Sequence, residues 1–184
     1  MTIDPGTHQH WETLAGFHGT TGDSYYDLDR VVAGGTLMTV LEEQALARAT
    51  GAPPSAPLSR LAGVDVVHLH SHIGADSVVL ARAGARVTAV DFSGTALARA
   101  RELAERVGVT LETVHADSQA LPDMLAGRFD VAYATIGVLC WVGDLDAWMT
   151  NAAGCLRPGG QLVLMELHPL LSRSEERRVG KECW

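Results

Sequence analysis

The chain is 184 residues long, 47% hydrophobic and 20% charged, with a formal net charge of −8. That length holds one domain with a sizeable core and is tight for two. The negative balance argues against a nucleic-acid partner, because a phosphate-binding surface wants the opposite sign. Cys140, Cys155 and Cys183 show no CxxC pairing, so neither a zinc ribbon nor a disulfide framework is read, and a reducing cytoplasm is the expected location. The first residues lack the basic-then-apolar pattern of a signal peptide, and no apolar run approaches the roughly 20 residues that span a bilayer.

In chain order, residues 1–22 read as polar and irregular, with a brief helix around 11–15. SYYDLD at 24–29 carries Tyr25 and Tyr26, either as a surface turn or as a flap over a ligand. Residues 36–50 predict a helix whose apolar stripe is Leu37, Val40, Leu41 and Ala45. Gly51 ends it, and APPSAP at 52–57 is a stiff linker no helix could cross. Residues 64–69, rich in β-branched side chains, predict a buried strand. A turn at 70–75, a helix opened by Asp76 and closed by Gly84, and a strand at 86–90 follow, with Asp91 at its tip.

Ser93 caps a helix over 94–107, with Leu97, Ala100, Leu103, Ala104 and Val107 inward and Gly108 as its stop. A strand over 110–115 leads to Ala116 and Asp117. A loop with one helical turn at 119–127, a strand at 129–134 and an apolar loop at 135–143 with a core Trp141 come next. A helix at 144–156 would bury Leu145, Trp148, Met149, Ala152 and Leu156. RPGG at 157–160 predicts a turn before a fifth strand at 161–167.

SRSEERRVGKECW at 172–184 has no periodicity and holds the chain's one lysine. It resembles a peptide that recurs where reading frames run into sequencing-adapter sequence. The expected organisation is an N-terminal cap and linker at 1–57, a core at 58–171 and an unstructured or artefactual tail, with the natural protein continuing further.

Alternating strands and helices predict an α/β, doubly wound, mostly parallel sheet. Parallel strands joined by crossover helices put their C-terminal ends on one edge, where ligands of open α/β sheets bind. Asp91, some twenty residues past the first turn, is placed to hold a ribose diol.

VVHLHSHIGADS at 66–77, AVDFS at 89–93, HADSQALP at 115–122, FDVAYATIGVLCW at 129–141 and LRPGGQLVLMELHP at 156–169 together resemble a class I S-adenosylmethionine-dependent methyltransferase. The resemblance covers roughly 61–169. It implies a Rossmann-like core with strand order 3-2-1-4-5, the family's last two strands being absent. AGGTL at 33–37 is similar to the lead-in of a small-molecule subfamily. The first turn departs from the family's acid-x-Gly-x-Gly-x-Gly. His68, His70, His72 and Gly74 stand in those places, resembling a variant of a subfamily with an HLxCHxG turn. Histidine in place of glycine limits how closely a ligand approaches the backbone.

The resemblance implies S-adenosyl-L-methionine as cofactor and a small-molecule acceptor; from charge and hydropathy, neither nucleic acid nor membrane is expected as partner. Backbone at His70, Ser71 and Gly74 would face the methionine part, and Tyr25 or Tyr26 could close over its carboxylate. Asp91 would accept from the ribose hydroxyls, with Phe92 on the adenine. Asp117 would take the adenine amine, with Ser118 beside it, and Thr135 would pass the sulfonium end. No residue is singled out as general base and no metal is implied.

Other readings compete. His68-x-His70-x-His72 would put alternate imidazoles on one side of an extended chain, as a metal-dependent hydrolase might use, with His115 and His168 completing a site. A barrel of the amidohydrolase kind needs about 250 residues, however. A nicotinamide enzyme would want GxGxxG, which HSHIGA lacks. A catalytically incomplete nucleoside-cofactor-binding fragment is the remaining alternative.

Overall fold

The computed structural model describes residues 3–20, 23 and 25–167. Among these, five parallel strands form one sheet in the order β3-β2-β1-β4-β5. The strands are β1 (Asp65–Leu69), β2 (Arg86–Asp91), β3 (Glu112–His115), β4 (Phe129–Ala134) and β5 (Leu156–Leu164). Six helices flank them: α1 (Pro5–Phe17), α2 (Leu28–Val32), α3 (Val40–Ala49), α4 (Ala75–Arg82), α5 (Gly94–Val107) and α6 (Leu145–Gly154). This is the sheet order expected. His168 and the tail at 172–184 with Cys183 lie outside the described residues.

The central strands β1, β2 and β4 are buried on both faces. Val66, Val87, Val131 and Tyr133 pack with Leu80 of α4 and Leu103 of α5 in one cluster. Val67, Leu69, Ala132 and Ala134 pack with Trp148 and Ala152 of α6 in the other. Such two-sided burial explains why the central strands read as continuous apolar runs.

Five local expectations are corrected. The N-terminal segment is a full helix, α1, because Asp4 accepts from Thr7 N–H at 3.0 Å as N-cap and Pro5 opens the first turn. Residues around Tyr26 lead into a further short helix, α2, capped by Asp27.

The predicted stripe of α3 is rotated. Val40 and Leu41 are 67% and 65% exposed, while Glu42, Leu46 and Ala47 are buried. A capping box between Thr39 and Glu42 fixes where the helix starts and turns Glu42 inward. Tyr133 then donates its hydroxyl to Glu42 Oε1 at 2.9 Å.

In α6, Trp148 and Ala152 are buried as expected, but Leu145 and Met149 stay exposed. RPGG is part of β5 rather than a turn before it. The strand pairs Phe129 with Leu156, and the register then shifts so that Val131 faces Gln161. Gly159 has φ 87° within this bulge, a conformation glycine adopts without steric cost.

Candidate functional site

The turn after β1 is where the sequence departs from the family pattern. His70 and His72 both take positive φ, 56° and 48°. These are left-handed positions that favour glycine, and non-glycine residues hold them only when surroundings compensate. For His70 the compensation is two hydrogen bonds to Nε2, one donated by Trp148 Nε1–H at 2.9 Å and one shared with Ser118 Oγ at 2.8 Å. For His72 it is the backbone N–H, which donates to Asp91 Oδ2 at 2.7 Å, and the ring, whose Nε2 shares a hydrogen bond with His18 Nδ1 at 2.9 Å. Gly74 has φ 74°, and a Cβ there would meet Ala100 of α5 at 2.5 Å. That glycine is required by the contact of α4 with α5.

The three histidines part company. His68 pairs with Ser77 Oγ at 2.7 Å and lies 4.7 Å from the Tyr133 ring. His70 turns to Ser118 and Trp148, and His72 to His18. The chain is not extended beyond Leu69, so the one-sided arrangement of imidazoles needed by the hydrolase reading does not form. Burial holds all three imidazoles neutral, pushing His68 down to about 3, His70 to about 4 and His72 to about 3.

A cleft of about 80 Å³ opens at the carboxyl edge of the sheet, lined by Trp11, Tyr26, His70, His72, Asp91 and Phe92 on one side. Thr135, Ile136, Gly137, Val138 and Trp141, from the loop after β4, line the other. Asp91 sits at the tip of β2, directly opposite His115 of β3, and Asp117 follows β3 by two residues. Both acids therefore belong to the same edge of neighbouring strands.

Each oxygen of Asp91 accepts one backbone N–H, Oδ1 from Ser93 at 2.8 Å and Oδ2 from His72 at 2.7 Å. Each keeps a lone pair for a ligand hydroxyl. Burial pushes the Asp91 carboxyl up to about 6, against the pull of those N–H bonds. Asp117 is half-buried, accepting Gln119 N–H on Oδ1 and Ile3 N–H on Oδ2.

The other residues singled out in the sequence are distributed as follows. Tyr26 lines the cleft, and burial raises its hydroxyl pKa above the usual range. Tyr25 is 79% exposed and outside the cleft. Phe92 and Thr135 line it. Ser118 is buried behind His70. Ser71 is buried, its N–H donating to Val90 O at 3.0 Å, and like Gly74 it is not among the lining residues.

Trp11, His72 as a side chain, and Trp141 as a lining residue were not foreseen as parts of the site. Trp11 arrives because α1 crosses the edge of the sheet. The Asp4-Pro5 start and the spacing of Trp11, Leu14, Ala15 and His18 were the signals for that helix.

A second groove, about 460 Å³, lies around Asp65, Arg86, Glu112, Arg128 and Arg157 at the opposite edge. Its arginines are matched by carboxylates, Arg86 and Arg157 on Asp65 and Arg128 on Glu112. Ligands of open α/β sheets bind outside the carboxyl ends of the strands, so the smaller cleft is the functional candidate. No helix among the described residues is long and apolar enough to cross a membrane.

Comparison with known proteins agrees with the geometry. The chain is 34% identical over 140 residues to a ubiquinone biosynthesis O-methyltransferase of Methylobacterium sp. (strain 4-46), covering 75% of this chain and 54% of the relative. It spans about half the length of the curated relatives it matches.

Among solved structures, a putative S-adenosyl-L-methionine-dependent methyltransferase of Methanococcus maripaludis shares the fold. Its TM-score is 0.63 at 14% identity, over 97% of this chain and 75% of that one. A SAM-dependent methyltransferase of Thiobacillus denitrificans, solved with S-adenosyl-L-homocysteine, is 25% identical with a TM-score of 0.50, over 73% of this chain and 53% of that one. The family model described as a methyltransferase domain matches residues 71–164, running from the histidine-bearing turn to the end of β5, and the chain belongs to that family.

Proposed function

We propose that this chain is the cofactor-binding core of an S-adenosyl-L-methionine-dependent methyltransferase acting on a small-molecule acceptor. The carrying observation is Asp91, with both oxygens oriented by backbone N–H groups in a cleft at the carboxyl edge. A carboxylate so held fits a vicinal diol, and Asp117, just past the end of the next strand, supplies an acceptor for an exocyclic amine. The solved relative that holds S-adenosyl-L-homocysteine supports the cofactor class.

The bound cofactor supplies a methyl group on a sulfonium, already a good leaving group. The protein's task is then alignment and exclusion of water. Asp91 accepts from the ribose hydroxyls, Phe92 packs on the adenine, and Asp117 with Ser118 beside it receives the adenine amine. Thr135 and the backbone of His70 border the sulfonium end. Ser71 and Gly74 shape the turn that carries His70. Tyr26, protonated at neutral pH, donates to the amino-acid carboxylate, and Tyr25 lies at the rim.

The ring of Trp141, on the loop after β4, gives the cleft a face that favours a cation. Its apolar neighbours, Ile136 and Val138, suit an apolar small-molecule acceptor, a class supported by the relative named for ubiquinone biosynthesis. A cytoplasmic enzyme without nucleic-acid or membrane partners fits the acidic charge and the cysteine spacing.

Calorimetric titration with S-adenosyl-L-homocysteine tests the proposal. Saturable binding that Asp91→Ala weakens at least tenfold is the expected result. Absence of binding, or equal binding by the variant, overturns the assignment.

A further inference from the structure

We infer that α1 is an internal competitor for the nucleoside half of the cofactor, docked on the residues a nucleoside would use and released when one binds. This rests on the cofactor assignment proposed above. Four contacts carry it. The Ile3 N–H donates to Asp117 Oδ2 at 3.0 Å, the same kind of donor an adenine amine would offer. The His8 imidazole lies 5.6 Å from the Phe92 ring, a planar heteroaromatic against the phenyl proposed for adenine. The Trp11 indole sits 5.3 Å from the His72 ring and 5.2 Å from that of Trp141, inside the cleft. Glu12 Oε1 accepts Gly94 N–H at 2.9 Å, fastening α1 to the first turn of α5 beside Asp91.

The volume agrees. With α1 in place the cleft encloses about 80 Å³, whereas pockets for drug-sized ligands measure roughly 300–1,000 Å³. The helix is held at both ends, by Ile3 on Asp117 and by Arg99, which donates to Ala15 O at 2.8 Å and also to His18 O. In this arrangement the nucleoside-side residues are occupied by α1; cofactor binding as inferred requires a second arrangement in which they are vacated. A ligand that binds only the undocked form shows an affinity reduced by the undocked fraction, and loosening the helix removes that penalty.

The test uses the full chain and two variants that leave the cleft-lining residues intact. Gln9→Pro breaks α1 at an exposed mid-helix position. Asp4→Ala, milder, removes the cap on Thr7 N–H. Calorimetry with S-adenosyl-L-homocysteine should give about tenfold tighter binding for Gln9→Pro and a smaller gain for Asp4→Ala. In the unmodified chain, hydrogen exchange across Pro5–Phe17 should accelerate on adding S-adenosyl-L-homocysteine.

Binding that is unchanged or weaker in the variants, or α1 amides protected by the ligand, overturns the competitor and makes α1 a wall of the site. Absence of binding by all three proteins overturns the cofactor assignment itself, a distinguishable result. Should Gln9→Pro fail to fold, Asp4→Ala and the exchange experiment decide.

Discussion

The backbone N–H of His72 donates to the Asp91 carboxylate at 2.7 Å, so the turn after β1 and the tip of β2 are one unit. His72 sits at φ 48°, and this bond is part of what keeps it there. Asp91 thus orients the turn as well as offering a ligand acceptor. Asp91→Asn keeps the shape but replaces one oxygen by a donor facing an N–H. The expected outcome is a loss of stability of about 1–3 kcal/mol, the cost of an unmade hydrogen bond to a charged group. S-adenosyl-L-homocysteine affinity should fall by at least tenfold. Urea unfolding and calorimetry measure the two effects separately.

His70 is a second test of the turn. Restoring the family's glycine by His70→Gly relieves a left-handed residue, a gain of about 1 kcal/mol. It also removes the ring that accepts from Trp148 Nε1–H and pairs with Ser118 Oγ. Trp148 is fully buried and Ser118 nearly so, so unmade bonds cost about 1–3 kcal/mol apiece. The balance predicts net destabilisation of about 2 kcal/mol, seen as a lower urea midpoint. A more stable His70→Gly protein would show that the imidazole's bonds contribute little.

Acid sensitivity follows from two opposed sets of groups. Burial lowers His68, His70 and His72 to about 3, 4 and 3, and His18 is lowered too. Below pH 6.5 the unfolded chain takes up these protons and the native one does not, so stability falls with pH. Burial raises Asp91 to about 6 and Asp76 to about 7, the latter aided by the charge of Glu42. Their native forms take up protons that the unfolded chain, with carboxylates near 3.8, does not take up until lower pH, so their effect has the opposite sign.

Three buried imidazoles against two carboxylates leave a net loss of about 1.4 kcal/mol per pH unit between pH 6 and 4. Asp76→Asn removes one opposing group and should roughly double that slope. Denaturant titrations at pH 6, 5 and 4 read it directly.

Tyr133 and Glu42 join β4 to α3 through a buried hydrogen bond of 2.9 Å. Glu42 Oε2 is already held by Thr39 N–H and Oγ1–H, so Tyr133→Phe orphans Oε1 alone. Destabilisation of about 1–3 kcal/mol is expected. Adding Glu42→Gln should recover part of it by removing the buried charge. A double-mutant cycle by thermal unfolding, with a coupling near zero, would refute the link.

Much of the framework was legible in the chain itself because it depends on neighbours in sequence. The Ser93 cap and the Gly108 stop placed α5 at its observed bounds, and the strand expected at 129–134 is β4. The acids at the tips of β2 and β3 followed from the rule that parallel strands end on one edge. What tertiary structure decided is of a different kind. Val40 and Leu41 lie outside α3 because a capping box and a tyrosine from a strand 91 residues away chose Glu42 for the interior. Three histidines spaced by two residues look like a ligand set, but partners brought from the C-cap of α1, from α4, from α6 and from the loop after β3 draw them apart. The occupancy of the cleft by α1 was invisible for the same reason. Local propensity determines whether a helix forms, while the surface it docks on is built from residues more than 50 positions away, whose proximity is a property of the packed sheet.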